Sequence, residues 1–474
     1  MEDKKPNESA NSGKDDDGDL HLPKPLYLRQ IVGNFGNGVS GPYLPVYAIQ
    51  LGASPTDLGW LRSLNNLFSN VMQIPWGVLS DNFGKRVLFI VASSLLSTLI
   101  WVLMLFVGTP WQLIGLVAVQ AFVNSMVAPA WASLVGAIVP SLKRGFITAS
   151  LNAAASLGSL TATIISGIIM YRSGVIGSQM YIIPFLMASA SGFAAALTML
   201  TIHERKGGMK RALTLRSWID WRAMKENAYF RSFSTISVIH GFFMAMAWPL
   251  FTMTIVKVVK ADMLQVAYIA VISGSASILV RRFVGHLSDR AGRKSLLVIG
   301  RAGIAFYALM YAFATSIYHL FAAEVFIGIL GAVGDIVVFA YLLDVTEEDQ
   351  RGTAFAIFNT LNGVATFFGS LCGGYFVSFF IVMGYTELVA IQLAYIISAV
   401  GRLGGGLLFM RIKEPYNYPS TVSKEIKQMI NEDVDKTRAR IERVEKDGEK
   451  IDGELEKDFE WLERRLRGKD KEEK

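Results

Sequence analysis

The chain has 474 residues, of which 52% are hydrophobic and only 18% charged, with a mean hydropathy of +0.38. That is too apolar for a soluble protein of this length. Its net charge of +7 comes from basic residues beside long apolar runs, which excludes a nucleic-acid reading, and the lone Cys372 excludes an intrachain disulfide.

Residues 1–25 are polar and mostly acidic, with Asp15-Asp16-Asp17. A cleaved signal needs a basic start followed by an apolar stretch, so a disordered cytosolic tail is predicted. From there, apolar runs of about 20 residues separated by short polar turns predict membrane-spanning helices. The alternating pattern of a β-barrel is missing. Spans are predicted at 26–49, 56–79, 86–107, 111–139, 145–171 and 179–202, an N-terminal bundle over 26–202. Six more follow at 232–257, 263–286, 295–315, 319–343, 352–380 and 385–410, a C-terminal bundle over 232–411.

The linker between the bundles, 203–231, contains LTLRSWIDWRAMK, where Trp218 and Trp221 mix with Arg216, Arg222 and Lys225. That mixture predicts a helix in the headgroup layer, with a solvated linker as the alternative. Residues 412–474 form a charged tail in which Ile426, Ile430, Val434, Ile441 and Val444 recur at three- and four-residue steps, interrupted later by Gly448 and Gly453. A helix that binds itself or a protein partner is one reading, and a solvated helix is the other.

Positive charge falls on alternate turns. Lys85 and Arg86, Lys143 and Arg144, the run from Arg205 to Arg231, and Arg290, Arg293 and Lys294 follow spans 2, 4, 6 and 8. The turns after spans 1, 3, 9 and 11 carry no Lys or Arg. A multi-pass protein of the cell membrane with both termini in the cytoplasm is predicted.

The stretch GVLSDNFGKR at 77–86 is written again as GHLSDRAGRK at 285–294, 208 residues later. Arg144-Gly145 opens RGFITASLN, and Arg351-Gly352 opens RGTAFAIFN 207 residues on, so that Asn152 falls opposite Asn359. Pro42 and Pro249 keep the same offset. Separate motifs sharing one offset argue for a duplicated architecture, the pattern of transporters whose halves rock around a midplane site.

G-x-L-S-D-x-x-G-[KR]-[RK] after the second span of each half resembles the signature of the major facilitator superfamily, and the resemblance covers roughly residues 26–411. It implies an all-α membrane fold of twelve transmembrane helices in two pseudo-symmetric six-helix bundles. It also implies alternating access and a central cavity lined by spans 1, 4, 7 and 10.

Asp81 and Asp289 are expected to end spans at the inner water boundary, with Gly77 and Gly285 one turn earlier allowing close helix approach. Spans 11 and 5 begin on that same side. A carboxylate at a helix N-terminus gains a few tenths to about 2 kcal/mol. Asp81 is therefore expected to face the start of span 11 and Asp289 the start of span 5, closing the inner side. Beyond the turn glycines Gly84 and Gly292, the cations Lys85, Arg86, Arg293 and Lys294 add ion pairs, hold anionic lipid headgroups, or only fix topology.

Polar residues inside spans are costly without a partner, so those in the cavity-lining spans are the site candidates. Span 1 offers Asn34, Asn37, Tyr43 and Tyr47; span 4 offers Gln120 and Asn124, four apart on one face. Span 7 holds His240 and Trp248, and span 10 holds Glu324 and Asp335. Those two carboxyls are 11 residues apart, so they share a face within roughly 20° and stand about 16 Å apart along the axis. In a low-dielectric site such groups can exchange protons near neutrality. The alternatives are an ion pair of Asp335 with Arg301 or Arg402, a solvated Glu324 near the outer surface, and a packed, hydrogen-bonded His240. Arg62 attracts an anion, pairs with Asp57 or Asp262, or snorkels, the last being favoured. Asn152 and Asn359 are expected to bond between helices, Asn359 also remaining a cavity candidate.

No phosphate-binding G-x-x-x-x-G-K-[ST], no metal-binding H-E-x-x-H and no nucleophilic G-x-S-x-G is present. Neither an enzyme, nor a cofactor, nor a metal site is expected. The predicted function is secondary active transport of a small organic solute, coupled to protons or another ion, with membrane lipids around it and export slightly favoured. A proton-coupled importer of sugars or organic acids is the near rival, and a receptor or scaffold signalling through its tail is the distant one. The 18 methionines suggest a Met-rich lining for an amphipathic solute, and the lack of a cavity cation cluster argues against multiply charged anions.

Overall fold

Prolines decide where these spans break. A proline offers no amide hydrogen and crowds the preceding turn, so an apolar helix that contains one is divided there. The computed structural model describes residues 24–139, 144–175, 177–202, 226–347, 350–416 and most of 421–431. Span 1 is the helix Lys24–Ser40, a turn through Pro42, and the short helix Leu44–Gln50. Span 7 repeats the plan as Ala228–Met246, a break at Ala247 ahead of Pro249, Trp248–Met253, and a wide turn over Thr254–Val258. The matched prolines thus divide matched spans. Span 2 is similarly Pro55–Val71 and Gln73–Phe83, and span 4 is Pro110–Asn124 and Val127–Ile138.

The other spans run more evenly. They are Arg86–Leu103 (span 3), Arg144–Arg172 (span 5), Ile182–Leu200 (span 6), Met263–Ala291 (span 8), Lys294–Ala312 (span 9), Ile317–Val345 (span 10), Arg351–Val382 (span 11) and Glu387–Leu408 (span 12). Among the described residues ten helices are long and apolar enough to cross a bilayer. Spans 1 and 2 are not among the ten, being the more polar runs, with Asn34 and Asn37 in span 1 and Arg62, Asn65, Asn66 and Asn70 in span 2. Large apolar side chains such as Leu279 and Val382 stand outward on this helical body, the surface a membrane protein gives to lipid.

Hydroxyl groups tie the breaks down. In the N-terminal half Ser166 donates to the Val39 carbonyl at 2.9 Å and Thr163 to Gly38 at 2.8 Å. In the C-terminal half Ser370 donates to the Ala245 carbonyl at 3.2 Å. Spans 5 and 11 therefore hold spans 1 and 7 at equivalent places, where a broken helix frees carbonyls that lipid could not satisfy.

The halves meet through spans 2 and 11 and through spans 5 and 8. At one end Thr56 and Ser378 share a hydroxyl–hydroxyl bond of 2.7 Å, and Ser63 donates to the Phe367 carbonyl at 2.7 Å. A single hydrophobic core at that end draws on both halves, from Tyr47 and Leu58 to Val377 and Tyr395. Toward the turns at Gly84 and Gly292 it gives way to two separate cores. One, around Ile90, Leu134 and Met199, belongs to the N-terminal half; the other, around Phe233, Leu297 and Tyr341, belongs to the C-terminal half. The molecule is sealed at the first end and parted at the second.

The stretch 203–225, with its expected interfacial helix, lies outside the described residues, as do the N-terminal tail through residue 23 and most of the charged C-terminal region. The part of that region nearest span 12 is packed. Val422, Ile426 and Met429 lie against the C-terminal half's own core.

Candidate functional site

Both signature turns rest on a glycine with positive φ, +60° at Gly84 and +87° at Gly292. Side chains with a Cβ resist that conformation, which explains the glycine in each copy. Lys85 caps and Arg86 begins span 3; Lys294 begins span 9. Arg144 and Gly145 open span 5, and Arg351 and Gly352 open span 11.

Arg293 is the hub of the second copy. Its guanidinium reaches Asp289 at 2.9 Å, Asp344 at the end of span 10 at 3.0 Å, and Ser288 at 2.7 Å. Glu414, beyond span 12, accepts the backbone amides of Arg293 at 2.5 Å and Lys294 at 2.9 Å, capping span 9. Arg290 faces the buried Glu425 at 3.7 Å. These ion pairs lie within the C-terminal half. The Asp289 side chain is 71% exposed and bonded to Arg293 just past the Gly292 turn, across the cleft from the span 5 residues expected to face it. The Asp81 side chain lies outside the described residues. Gly77 has Pro129 of span 4 close by, whereas Gly285 faces open space instead of a neighbouring helix. In this parted conformation a cleft of about 910 Å³ separates the two elements, with Gly285 and Asp289 on one wall and Thr148, Ala149 and Asn152 of span 5 on the other.

The cleft leads inward. Asp335 and Phe339 border both it and a chamber of about 540 Å³, whose polar lining includes His240, Trp248, Arg301 and Asn359. In the N-terminal half two smaller chambers, about 200 and 280 Å³, share Asn37, Trp101 and Asn124. Gln120 borders the first and Asn34 the second. Asn34 donates to Gln30, and Asn124 accepts from Ser97 at 2.6 Å. Residues of spans 1, 4, 7 and 10 border these chambers together with residues of spans 2, 3, 6, 9 and 11.

Several expectations are corrected by their surroundings. Tyr43 is fully buried and donates to the Thr163 carbonyl at 2.8 Å, so it packs span 1 on span 5 and lines none of these chambers. Glu324 is not solvated. It is 5% exposed, with one oxygen accepting from Tyr307 at 2.8 Å and Tyr311 at 2.6 Å. Asp335 is exposed to the cleft, and among the described residues its ion pair is with Arg281 at 3.9 Å, while Arg301 shares its chamber and Arg402 does not. Arg402 is sunk among carbonyls, donating to Met244 at 2.7 Å and Ile304 at 3.3 Å. His240 is 1% exposed and its Nε2–H donates to the Arg301 carbonyl at 3.0 Å, the packed alternative. Asn152 and Asn359 face the cleft and the chamber rather than joining helices. Met244 is the one methionine among the residues lining these four spaces, so the lining is amide-rich rather than Met-rich. Cations do reach them, at Arg29, Arg62, Arg281, Arg293 and Arg301.

Asn65, Asn66 and Asn70, outside the expected site residues, turn span 2 with Arg62 toward both central chambers. The signal was there: Arg62, Asn65, Asn66, Ser69 and Asn70 recur at three- and four-residue steps in an otherwise apolar span.

A helical body with two matched halves, sealed at one end around polar chambers, has counterparts. The chain is 23% identical over 400 residues to an MFS-type transporter of Methanocaldococcus jannaschii, covering 82% of this chain and 97% of that one. It is 23% identical over 343 residues to the multidrug resistance protein MdtG of Proteus mirabilis, covering 70% and 83%. The nucleoside transporter NupG shares the fold at a TM-score of 0.67 and 14% identity, over 82% of this chain and 98% of that one. Residues 26–245 and 233–451 each match the same family description. The repeat read in the signature turns is thus a repeat of whole domains, and the chain is a membrane transporter belonging to the Major Facilitator Superfamily.

Proposed function

We propose that this transporter moves a small organic solute by alternating access, coupled to protons, in the direction of export. The observation that carries the proposal is the asymmetry of the interface between the halves. One core joins them at the Thr56–Ser378 end, while the signature end is parted around a cleft leading to polar chambers. Rocking the halves about that interface would close the cleft and open the other end. The resistance function in the name of MdtG supports export.

Asp335 is the proposed coupling group, because it faces both cleft and chamber and its ion-pair partner among the described residues, Arg281, is itself half exposed. An exposed pair at 3.9 Å is weakly held, so a proton or a solute can displace it. Glu324, buried beneath two tyrosines, is the second candidate. The test is flux in proteoliposomes under an imposed pH gradient. The wild type should accumulate solute against its gradient. Asp335→Asn should lose gradient-driven movement while keeping one-for-one solute exchange. Gradient-driven flux surviving in Asp335→Asn would move the coupling role to another group.

A further inference from the structure

The N-terminal half holds two arginines for which the described residues supply no counter-charge. Arg62 borders the 200 Å³ chamber and Arg29 the 280 Å³ one next to it. In each, the Nε–H is buried without a hydrogen-bond acceptor. Among the described residues neither arginine belongs to an ion pair. No Asp or Glu among the described residues lines either chamber.

The acids that could have answered Arg62 are engaged elsewhere. Asp57 accepts from the Ser54 amide at 2.9 Å and its hydroxyl at 2.7 Å, closing the start of span 2. Asp262 caps span 8 through the Gln265 amide at 2.8 Å. Arg29 lies over the Trp131 ring at 5.9 Å, which eases its burial without neutralising it. The C-terminal chamber differs, because Arg301 shares it with Asp335.

Arg29 is buried and Arg62 only in part, its Nε–H shut off from water; an unpaired charge so placed is costly, and in a membrane protein it marks a functional site. The remaining polar groups around Arg62 are carboxamides and hydroxyls, among them Asn37, Asn65 and Gln120. They donate or accept but carry no charge. Guanidinium binds carboxylate through a planar two-pronged fork.

We infer that the transported solute is an organic anion whose carboxylate is received by Arg62 in the N-terminal half, with the surrounding amides reading its polar body. This inference rests on the transport reading above and adds the substrate class to it. Arg29 holds a second positive charge in the adjoining chamber and favours the same sign of ligand.

The test is thermal unfolding of the purified full chain at low ionic strength against carboxylates, each paired with its primary amide: benzoate with benzamide, nicotinate with nicotinamide, lactate with lactamide. A ligand that binds the folded state raises Tm. At least one carboxylate should raise it where its amide does not. Arg62→Gln should abolish that shift, and Arg62→Lys should keep part of it. Without added anion, Arg62→Gln should be at least as stable as the wild type, since it removes an uncompensated charge.

No carboxylate separating from its amide, or a shift that survives Arg62→Gln, overturns the inference. So does a clear loss of stability in unliganded Arg62→Gln. An equal shift from chloride assigns the site to an inorganic ion, and one from phosphatidylglycerol assigns it to a lipid headgroup; either overturns the organic-anion class. Vesicle flux separates this failure from that of the transport reading. Neutral solutes moving independently of Arg62 would remove the anion and leave transport standing. Carboxylates that bind without ever crossing would do the reverse.

Discussion

Glu324 and Asp335 show how far spacing predicts environment. Their separation puts both on one face of span 10, but Tyr307, Tyr311 and Phe251 fill the space before that face at the sealed end, whereas at the signature end it opens on the cleft. Glu324 therefore depends on its tyrosine donors. Removing one from a buried acceptor costs about 1–3 kcal/mol. Tyr311→Phe should lower unfolding stability by that amount, and a double-mutant cycle with Glu324→Gln should give a coupling energy above about 0.5 kcal/mol. Additive losses would mean the bond contributes nothing. The acid was legible in the sequence as a polar residue in an apolar run; its tyrosines, 13 and 17 residues away on span 9, were not. Arg62 is the converse case. Snorkelling was the local reading, and only the placement of Asn37 and Gln120 from other spans shows that it borders a chamber.

Elements were most readable where local chemistry decides the backbone. Pro42 and Pro249 break spans 1 and 7, and Gly84 and Gly292 turn the chain after spans 2 and 8, all from the residue's own covalent limits. The capping of span 9 was less visible, because Glu414 arrives 120 residues after Lys294, from beyond span 12. That carboxylate satisfies two amides of the first turn and sits at the positive end of the helix dipole. Hydrogen bonds of this charged kind contribute roughly 1.5–3 kcal/mol each at most. Glu414→Ala should lower the melting temperature and speed amide hydrogen exchange at the start of span 9, with the matching start of span 3 unchanged. Glu414→Gln, which keeps an acceptor without the charge, should fall between. Equal exchange at both helix starts in the alanine variant would show that water replaces the cap.

At the scale of the molecule, the duplicated motifs foretold two similar halves but carried no information on which end is shut, since a transporter's sequence must suit more than one arrangement. The packing supplies that. Gly374 leaves room for the Pro55 carbonyl, which a Cβ would meet at 2.5 Å, and Thr56 lies against Ser378 in the same region. Spans 2 and 11 therefore pass close enough at the sealed end for a covalent link, while Ala149 and Gly285 face one another across open space at the other. In a Cys372→Ser background, Thr56→Cys/Ser378→Cys should oxidise readily, halt solute flux, and recover with reductant. Ala149→Cys/Gly285→Cys should link only as the cleft closes, so its rate should rise when the conformational balance moves toward the other state. Gly374→Ala provides that shift by wedging the sealed end apart. It should slow the first crosslink and accelerate the second, because closing one end and opening the other are one motion of two rigid halves. If Gly374→Ala altered only one of the two rates, the ends would be moving independently and the rocking description would fail.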